Sequence, residues 1–282
     1  MNNLIKVRAS QVGLLMTNPK GKSNLAKYTD AKESLEKKLK QLEGLGPKAI
    51  KTRERLEPEI DALTLLVPEL EKLKDKIELS ESAKALAVQM YWDLEHGIKK
   101  EITSKYFDKG NETEPEAIAL AQRVNGWDAI EKNDQGYSND FITGTPDIVY
   151  PELIPDTKVS WTAYSYPLFD TELKDDRYYW QIQSYLALTG RPKGVISYCL
   201  LDTPELLVMD EIYKYSRING LLDTPPEIEL EIRHAHNYSR LPEAMRVKNF
   251  FIEKDQDAID EIYKRVGALR EYYAELLASV PG

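Results

Sequence analysis

The sequence predicts a mixed α/β (α+β) domain with a helical hairpin inserted near its N-terminus. Segments with apolar residues at helical spacing alternate with short apolar runs of strand character, no internal repeat interrupts them, and the block from 22 to 79 reads as helix alone. A chain of 282 residues with 42% hydrophobic residues can bury a sizeable core and suits one elaborated domain, or one domain with an appendage. The expected division is an N-terminal segment of the core over 1–21, a hairpin insertion over 22–79 and the main core over 80–282.

In chain order, residues 18–23 (NPKGKS) read as a linker. Leu25, Tyr28, Leu35, Leu39 and Leu42 then recur at helical spacing, as do Ile60, Leu63, Leu70, Leu73 and Ile77, and Gly44-Leu45-Gly46-Pro47 separates the two runs. The second arm is expected to bend or break at Pro58 and Pro68, because proline removes a helix hydrogen bond. Charges nearly balance along this block, as on a solvated exposed hairpin, while Lys48, Lys51, Arg53 and Arg55 leave open an arm that grips nucleic acid. Ser80 can cap a helix running to Gly97, with Leu86, Met90 and Leu94 on one face. A helix over 111–125 follows, then strands over 141–150 and 153–160 joined by a turn at Pro151, and a helix over 176–189 stopped by Gly190. The remainder reads as a strand over 194–201, a helix over 205–218, a strand over 246–252 and a C-terminal helix over 257–277.

Several classes are set aside by composition. No apolar run approaches the length a bilayer needs and the N-terminus lacks the apolar core of a signal peptide, so no membrane association and a soluble, cytoplasmic protein are expected. Cys199 is the sole cysteine, which excludes an internal disulfide, a four-cysteine zinc site and a cysteine-ligated iron–sulfur cluster built from this chain alone. The net charge of −9 argues against polyanion binding by overall electrostatics, so any phosphate-binding site must be local. Carboxylates gathered to hold metal ions would themselves add to the acidic balance.

The informative stretch places Asp147 in Phe141-Ile-Thr-Gly-Thr-Pro-Asp147-Ile-Val-Tyr150 and then Asp156-Thr157-Lys158. A hairpin of the two strands would bring the carboxylates together, and side chains two apart on a strand put Asp156 and Lys158 on one face with Thr157 on the other. Phosphodiester hydrolysis uses such a set: carboxylates bind one or two Mg²⁺ ions, and an ammonium orients or helps deprotonate the water. An acidic hairpin rim with an exposed lysine would look the same. Upstream, Gly110-Asn-Glu-Thr-Glu114-Pro-Glu116-Ala117 opens a helix, where a Thr113/Glu116 capping box accounts for Glu116 better than for Glu114. Downstream, Gln181 and Tyr185 share a helix face in Gln181-Ile-Gln183-Ser-Tyr185.

Taken in order, G-x-x-x-E-P-x-A, T-P-D, D-x-K and Q-x-Q from Gly110 to Tyr185 resemble the PD-(D/E)XK nuclease superfamily, in its phage lambda exonuclease or YqaJ-type branch. The resemblance implies a restriction-endonuclease-like central mixed sheet flanked by helices, dependence on Mg²⁺ or Mn²⁺, and processive 5′-to-3′ digestion of duplex DNA that feeds a single-strand annealing recombinase. A homo-oligomer is a further expectation. By the same resemblance Asp147 and Asp156 bind metal, Thr157 offers its backbone carbonyl, Glu114 completes the metal shell, Lys158 positions the water and Gln181 supports it. Ala9-Ser10-Gln-Val12 resembles the branch's first-helix A-S-x-V, which makes Ser10 a candidate contact to a terminal DNA phosphate, beside the alternative of a helix N-cap. Two positions depart from the pattern: Asn3 stands where the family's phosphate-binding arginine would fall, and Asp156 replaces the usual glutamate.

Other residues carry weaker signals. His234 and His236 lack companions at metal spacing. Arg233, Arg240, Arg246 and Lys248 could meet DNA phosphates from a late strand, with Arg246 and Lys248 the chosen candidates, or could blunt a solvated edge. Trp161, Tyr164 and Tyr166 can stack on unpaired bases or fill core. The expectation is a Mg²⁺-dependent DNA exonuclease. An endonuclease or nickase on the same fold is the alternative within enzymes, and a non-catalytic phage DNA-processing or assembly factor working through the hairpin is the alternative outside them.

Overall fold

The computed structural model describes residues 5–101 and 104–281; Asn3 lies outside them. The chain divides into two compact units, Met1–Gly13 with Trp92–Tyr263, and Leu14–Tyr91 with Lys264–Gly282. The hairpin expected at 22–79 thus belongs to a unit that extends beyond it on both sides. Every candidate site residue lies in the first unit.

In the second unit, α2 (Asn24–Glu43) and α3 (Ile50–Leu73) form the hairpin. Ser23 caps α2 by accepting from the Ala26 amide at 3.2 Å, and the ends of the hairpin meet where the Asn24 amide donates to the Lys76 carbonyl at 3.0 Å. The expected break in the second arm does not occur: α3 runs through Pro58 and Pro68. Both prolines are exposed, as are Glu54 and Thr64, whose carbonyls lose their helical donors, so water can take those acceptors. Helix α4 (Glu81–His96) starts at the expected Ser80, whose hydroxyl accepts from the Ala83 amide at 3.1 Å.

The first unit is built on two three-stranded mixed sheets rather than one. In the first, β1 (Val7–Arg8) pairs parallel with β3 (Ile142–Gly144), and β2 (Tyr137–Ser138) pairs antiparallel with β3. In the second, β4 (Leu153–Val159) runs parallel to β5 (Lys193–Cys199), and β6 (Val247–Glu253) runs antiparallel to β5. The expected hairpin is therefore corrected. Strands β3 and β4 belong to different sheets, and Asp147 lies in the loop after β3 rather than in a strand.

Strand alternation gives the β4–β6 sheet two different faces. Val159, Cys199 and Val247 on one face pack against Ala117, Leu120 and Ala121 of α5 (Lys105–Asn125). Ile154, Ile196 and Ile252 on the other pack against Ile182 and Leu186 of α6 (Asp176–Thr189). The close approach of α6 needs a glycine, because a Cβ on Gly194 of β5 would lie 2.4 Å from Ile182 Cγ2. Helix α5 begins six residues before the expected 111, capped by Ser104, so Thr113 is no N-cap: its hydroxyl accepts no amide but donates to the Lys109 carbonyl at 2.7 Å. Lys109, Thr113, Ala117, Leu120 and Ala121 form its buried stripe. Helices α7 (Glu205–Ile218) and α9 (Gln256–Ser279) match their expected positions closely, while α8 (Pro226–Ala235) was not foreseen.

Candidate active site

Three residues of α6 at helical spacing, Tyr178, Gln181 and Tyr185, face the β4 positions Asp156 and Lys158. The helix is set in place by local signals: Asp175 caps it by accepting from the Arg177 amide at 3.0 Å, and Gly190 ends it at φ 73°, a left-handed conformation that favours glycine. Gln181 Nε2 donates to Asp156 Oδ1 and to the Tyr185 hydroxyl, both at 3.1 Å, and Gln181 Oε1 accepts from Lys158 Nζ at 3.4 Å. Lys158 Nζ lies 2.6 Å from Asp156 Oδ2 and 4.8 Å from the centre of the Tyr178 ring. Asp156 is almost wholly buried, and its Oδ2 has no aligned hydrogen-bond donor among the described residues, so the contact to Lys158 is an ion pair of poor hydrogen-bond geometry.

A second group stands beside this one. The Lys132 ammonium donates to Glu114 of α5 and lies 3.4 Å from Asp147 Oδ1. Burial, then the charges of Asp156 and Glu114, raise the Asp147 carboxyl above its ordinary range, with Lys132 acting in the opposite direction. The two groups therefore sense each other electrostatically. For Lys158, burial works against the charged form, but the Asp156 carboxylate outweighs it and the ammonium is held above its usual value. Glu114, Thr157, Lys158, Arg177 and Tyr178 share the lining of one cleft of about 540 Å³, together with Tyr106 and Phe107.

The donor chemistry suits a hard divalent cation: three carboxylates near one another, one of them with an oxygen free of aligned donors. Among the described residues, no three His, Cys, Asp or Glu side chains are gathered so as to hold a metal as they stand. Lys132 bridges two of the three carboxylates, Glu114 and Asp147.

The other candidates are placed less centrally. Ser10 is exposed in the first turn of α1 (Ala9–Leu15), within the helix rather than at its N-cap. Lys248 of β6 is in register with Tyr198 of β5, and Tyr198 with Lys158 of β4, so Lys248 shares the face of Lys158 two strands away, roughly 10 Å across the sheet. Arg246 is a correction: it precedes β6, its guanidinium is buried with an Nε that has no partner among the described residues, and it is not offered to solvent. Arg233, expected on a late strand, is on α8 and paired with Glu205 and Glu229. His236 is buried against Trp161 and hydrogen-bonded to the Thr203 hydroxyl, whereas His234 is exposed, so the two do not form a metal pair. Tyr166 is core and Tyr164 is fully exposed.

Sequence reasoning missed Lys132 and Tyr178. The second had a signal, lying three residues before Gln181 on the same helix face; the first lies in an irregular polar segment with no periodicity to mark it.

No family model matches this chain, and no curated protein does. Among solved structures, it is similar to a phage-related exonuclease from Haemophilus somnus 129PT, with 25% identity, a TM-score of 0.63 and coverage of 97% of this chain and 96% of that one. An alkaline exonuclease from Laribacter hongkongensis shares the fold at 19% identity and a TM-score of 0.50, over 72% of this chain and 85% of that one. The chain is thus similar over nearly its whole length to a phage-related exonuclease, and its mixed α/β fold is the one those exonucleases share.

Proposed function

We propose that the protein is a phage-type DNA exonuclease, dependent on Mg²⁺ (or Mn²⁺), that hydrolyses duplex DNA from an end. The observation that carries this reading is the Asp156–Lys158–Gln181 network beside the cleft of a chain similar end to end to a phage-related exonuclease. Asp147, Asp156, the Thr157 carbonyl and Glu114 would hold the metal, which when bound stabilises charge on the phosphate and lowers the pKa of a water. Lys158 stays an ammonium at neutral pH, so it donates to the attacking water or a phosphate oxygen rather than accepting a proton. Gln181 fixes both Asp156 and Lys158, and the Tyr178 ring beneath the ammonium limits its rotamers. Lys248, on the same sheet face, would meet the DNA backbone, and Ser10 is the candidate at the strand end. DNA is then the substrate, a single-strand annealing recombinase and further copies of this chain are the partners such an enzyme would have, and no helix among the described residues is long and apolar enough to cross a membrane.

The test is incubation of the purified protein with linear and with covalently closed circular duplex DNA, in Mg²⁺ and in EDTA. An exonuclease degrades the linear form alone and only with the metal. Nicking or linearisation of the circle would make the enzyme an endonuclease on the same fold, and inert DNA in every condition would refute the reading.

A further inference from the structure

Lys132 lies in the irregular segment between α5 and β2, and its placement is enforced by the segment's own anchors. The Tyr150 hydroxyl donates to the Asp128 carbonyl at 2.5 Å, and Gln122 Nε2 donates to the Ile130 carbonyl at 3.2 Å. The Asn133 amide donates to the Asp147 carbonyl at 2.7 Å, and Asn133 Nδ2 donates to the Pro146 carbonyl at 2.8 Å. Asn133 Oδ1 accepts from the Gln135 amide at 3.1 Å, closing the turn. Asn133, the residue next to Lys132, is thus held to the backbone of Pro146 and of Asp147 itself. The ammonium is thereby tied to the carboxylate it neutralises.

Its situation differs from that of Lys158. Lys158 is enclosed by Asp156, Gln181 and the Tyr178 ring, whereas the Lys132 side chain is 45% exposed and spans two carboxylates, Glu114 and Asp147. A flexible four-carbon stem with one face in water can leave without unfolding anything. Asp147 sits among like charges in a partly buried place, which makes an unpaired carboxylate there costly.

We propose that Lys132 is a built-in competitor for the divalent cation: it bridges Glu114 and Asp147 until the ion displaces it, and so sets the metal concentration the site requires. This rests on the assignment of Glu114 and Asp147 as metal ligands made above. A divalent cation brings twice the charge to the same oxygens and wins once its concentration is sufficient. Removing the ammonium removes both the competition and a repulsive charge at the bound ion.

The test uses the whole protein and does not depend on activity. Mn²⁺ is titrated calorimetrically into the native protein, Lys132→Met and Asn133→Ala, and the melting temperature of each is measured in EDTA and in saturating Mn²⁺. Lys132→Met should bind Mn²⁺ more tightly by on the order of fivefold, the equivalent of one partly exposed ion pair. The gap between its two melting temperatures should widen, because its carboxylates repel when no cation lies between them. Asn133→Ala, which loosens the tether and leaves the ammonium, should shift affinity in the same direction by less. Mn²⁺ binding that Lys132→Met leaves equal or weakens would overturn the proposal alone. Absence of Mn²⁺ binding in all three proteins would overturn the ligand assignment and the proposal with it.

Discussion

Replacing Gln181 by Leu removes one side chain that touches Asp156, Lys158 and Tyr185 and, on the account above, no substrate. Leucine matches its volume closely enough that α6 should stay seated. What is lost is a charge-assisted hydrogen bond to a buried carboxylate, about 1.5–3 kcal/mol, and a weaker one from Lys158 at 3.4 Å. If that energy serves to hold Asp156 and Lys158 in the reactive arrangement, the rate should fall roughly 10- to 150-fold, at about 1.4 kcal/mol per decade. The assay is release of acid-soluble nucleotide from linear duplex at saturating Mg²⁺, with urea unfolding run in parallel. Because Gln181 acts through Asp156 and Lys158 together, the double variant Lys158→Ala/Gln181→Leu should lose less than the product of the two single losses. Fully multiplicative losses would refute the reasoning by giving Gln181 a role of its own, as would a single Gln181→Leu variant within about threefold of the native rate.

Asp147→Asn and Lys158→Ala should each lower Mg²⁺-dependent cleavage by orders of magnitude with an unchanged circular dichroism spectrum; near-native activity in either would remove it from the catalytic set. Lys109 is buried, donates to the Trp161 carbonyl at 3.0 Å and has its pKa pushed down from 10.5 to about 8 by burial, against the opposing charges of Asp202 and Glu116. The unfolded chain therefore binds more protons between those values, so the cost of burying this ammonium is present below pH 8 and disappears as pH rises toward 10.5. It amounts to about 3 kcal/mol before subtracting the hydrogen bond. Lys109→Met should accordingly be more stable than the native protein at pH 7, with the advantage shrinking toward pH 10 in urea unfolding; an advantage independent of pH would contradict this. Excising residues 24–76 with a short Gly/Ser bridge should leave a folded remainder by circular dichroism, since Asn24 and Lys76 are already joined by a hydrogen bond; an unfolded product would show that the hairpin is part of a core.

What could be read from the sequence was what local chemistry decides. Helix α6 matches its expected bounds and α7 lies close to them, because signals such as the left-handed stop at Gly190 act within one turn of chain. Asp156, Lys158, Gln181 and Tyr185 were legible for a related reason: spacing on a strand or a helix fixes which side chains share a face. The start of α5 was misread because Gly110, Pro115 and the Thr113/Glu116 pair look like an N-terminus, while the stripe from Lys109 to Ala121 that carries the helix through them is a matter of tertiary packing. Strand pairing failed for the same reason. Apolar runs at 142 and 153 state that strands exist but not that one pairs with Val7 and the other with Lys193. Arg246 and Lys248 read alike, yet one is buried and the other lies on the sheet face with Lys158. Lys132, eighteen residues from Glu114, reaches it only through the fold.

On the proposed function, this constellation of carboxylates and Lys158 hydrolyses DNA from its ends with a divalent metal. This is tested most directly by following nucleotide release from end-labelled linear duplex as Mg²⁺ is titrated, with the native protein and with Asp156→Asn side by side. The native protein should release nucleotide saturably and only with Mg²⁺, and both EDTA and the substitution should abolish the release. Release that persists in EDTA, or that Asp156→Asn supports at the native rate, would contradict it.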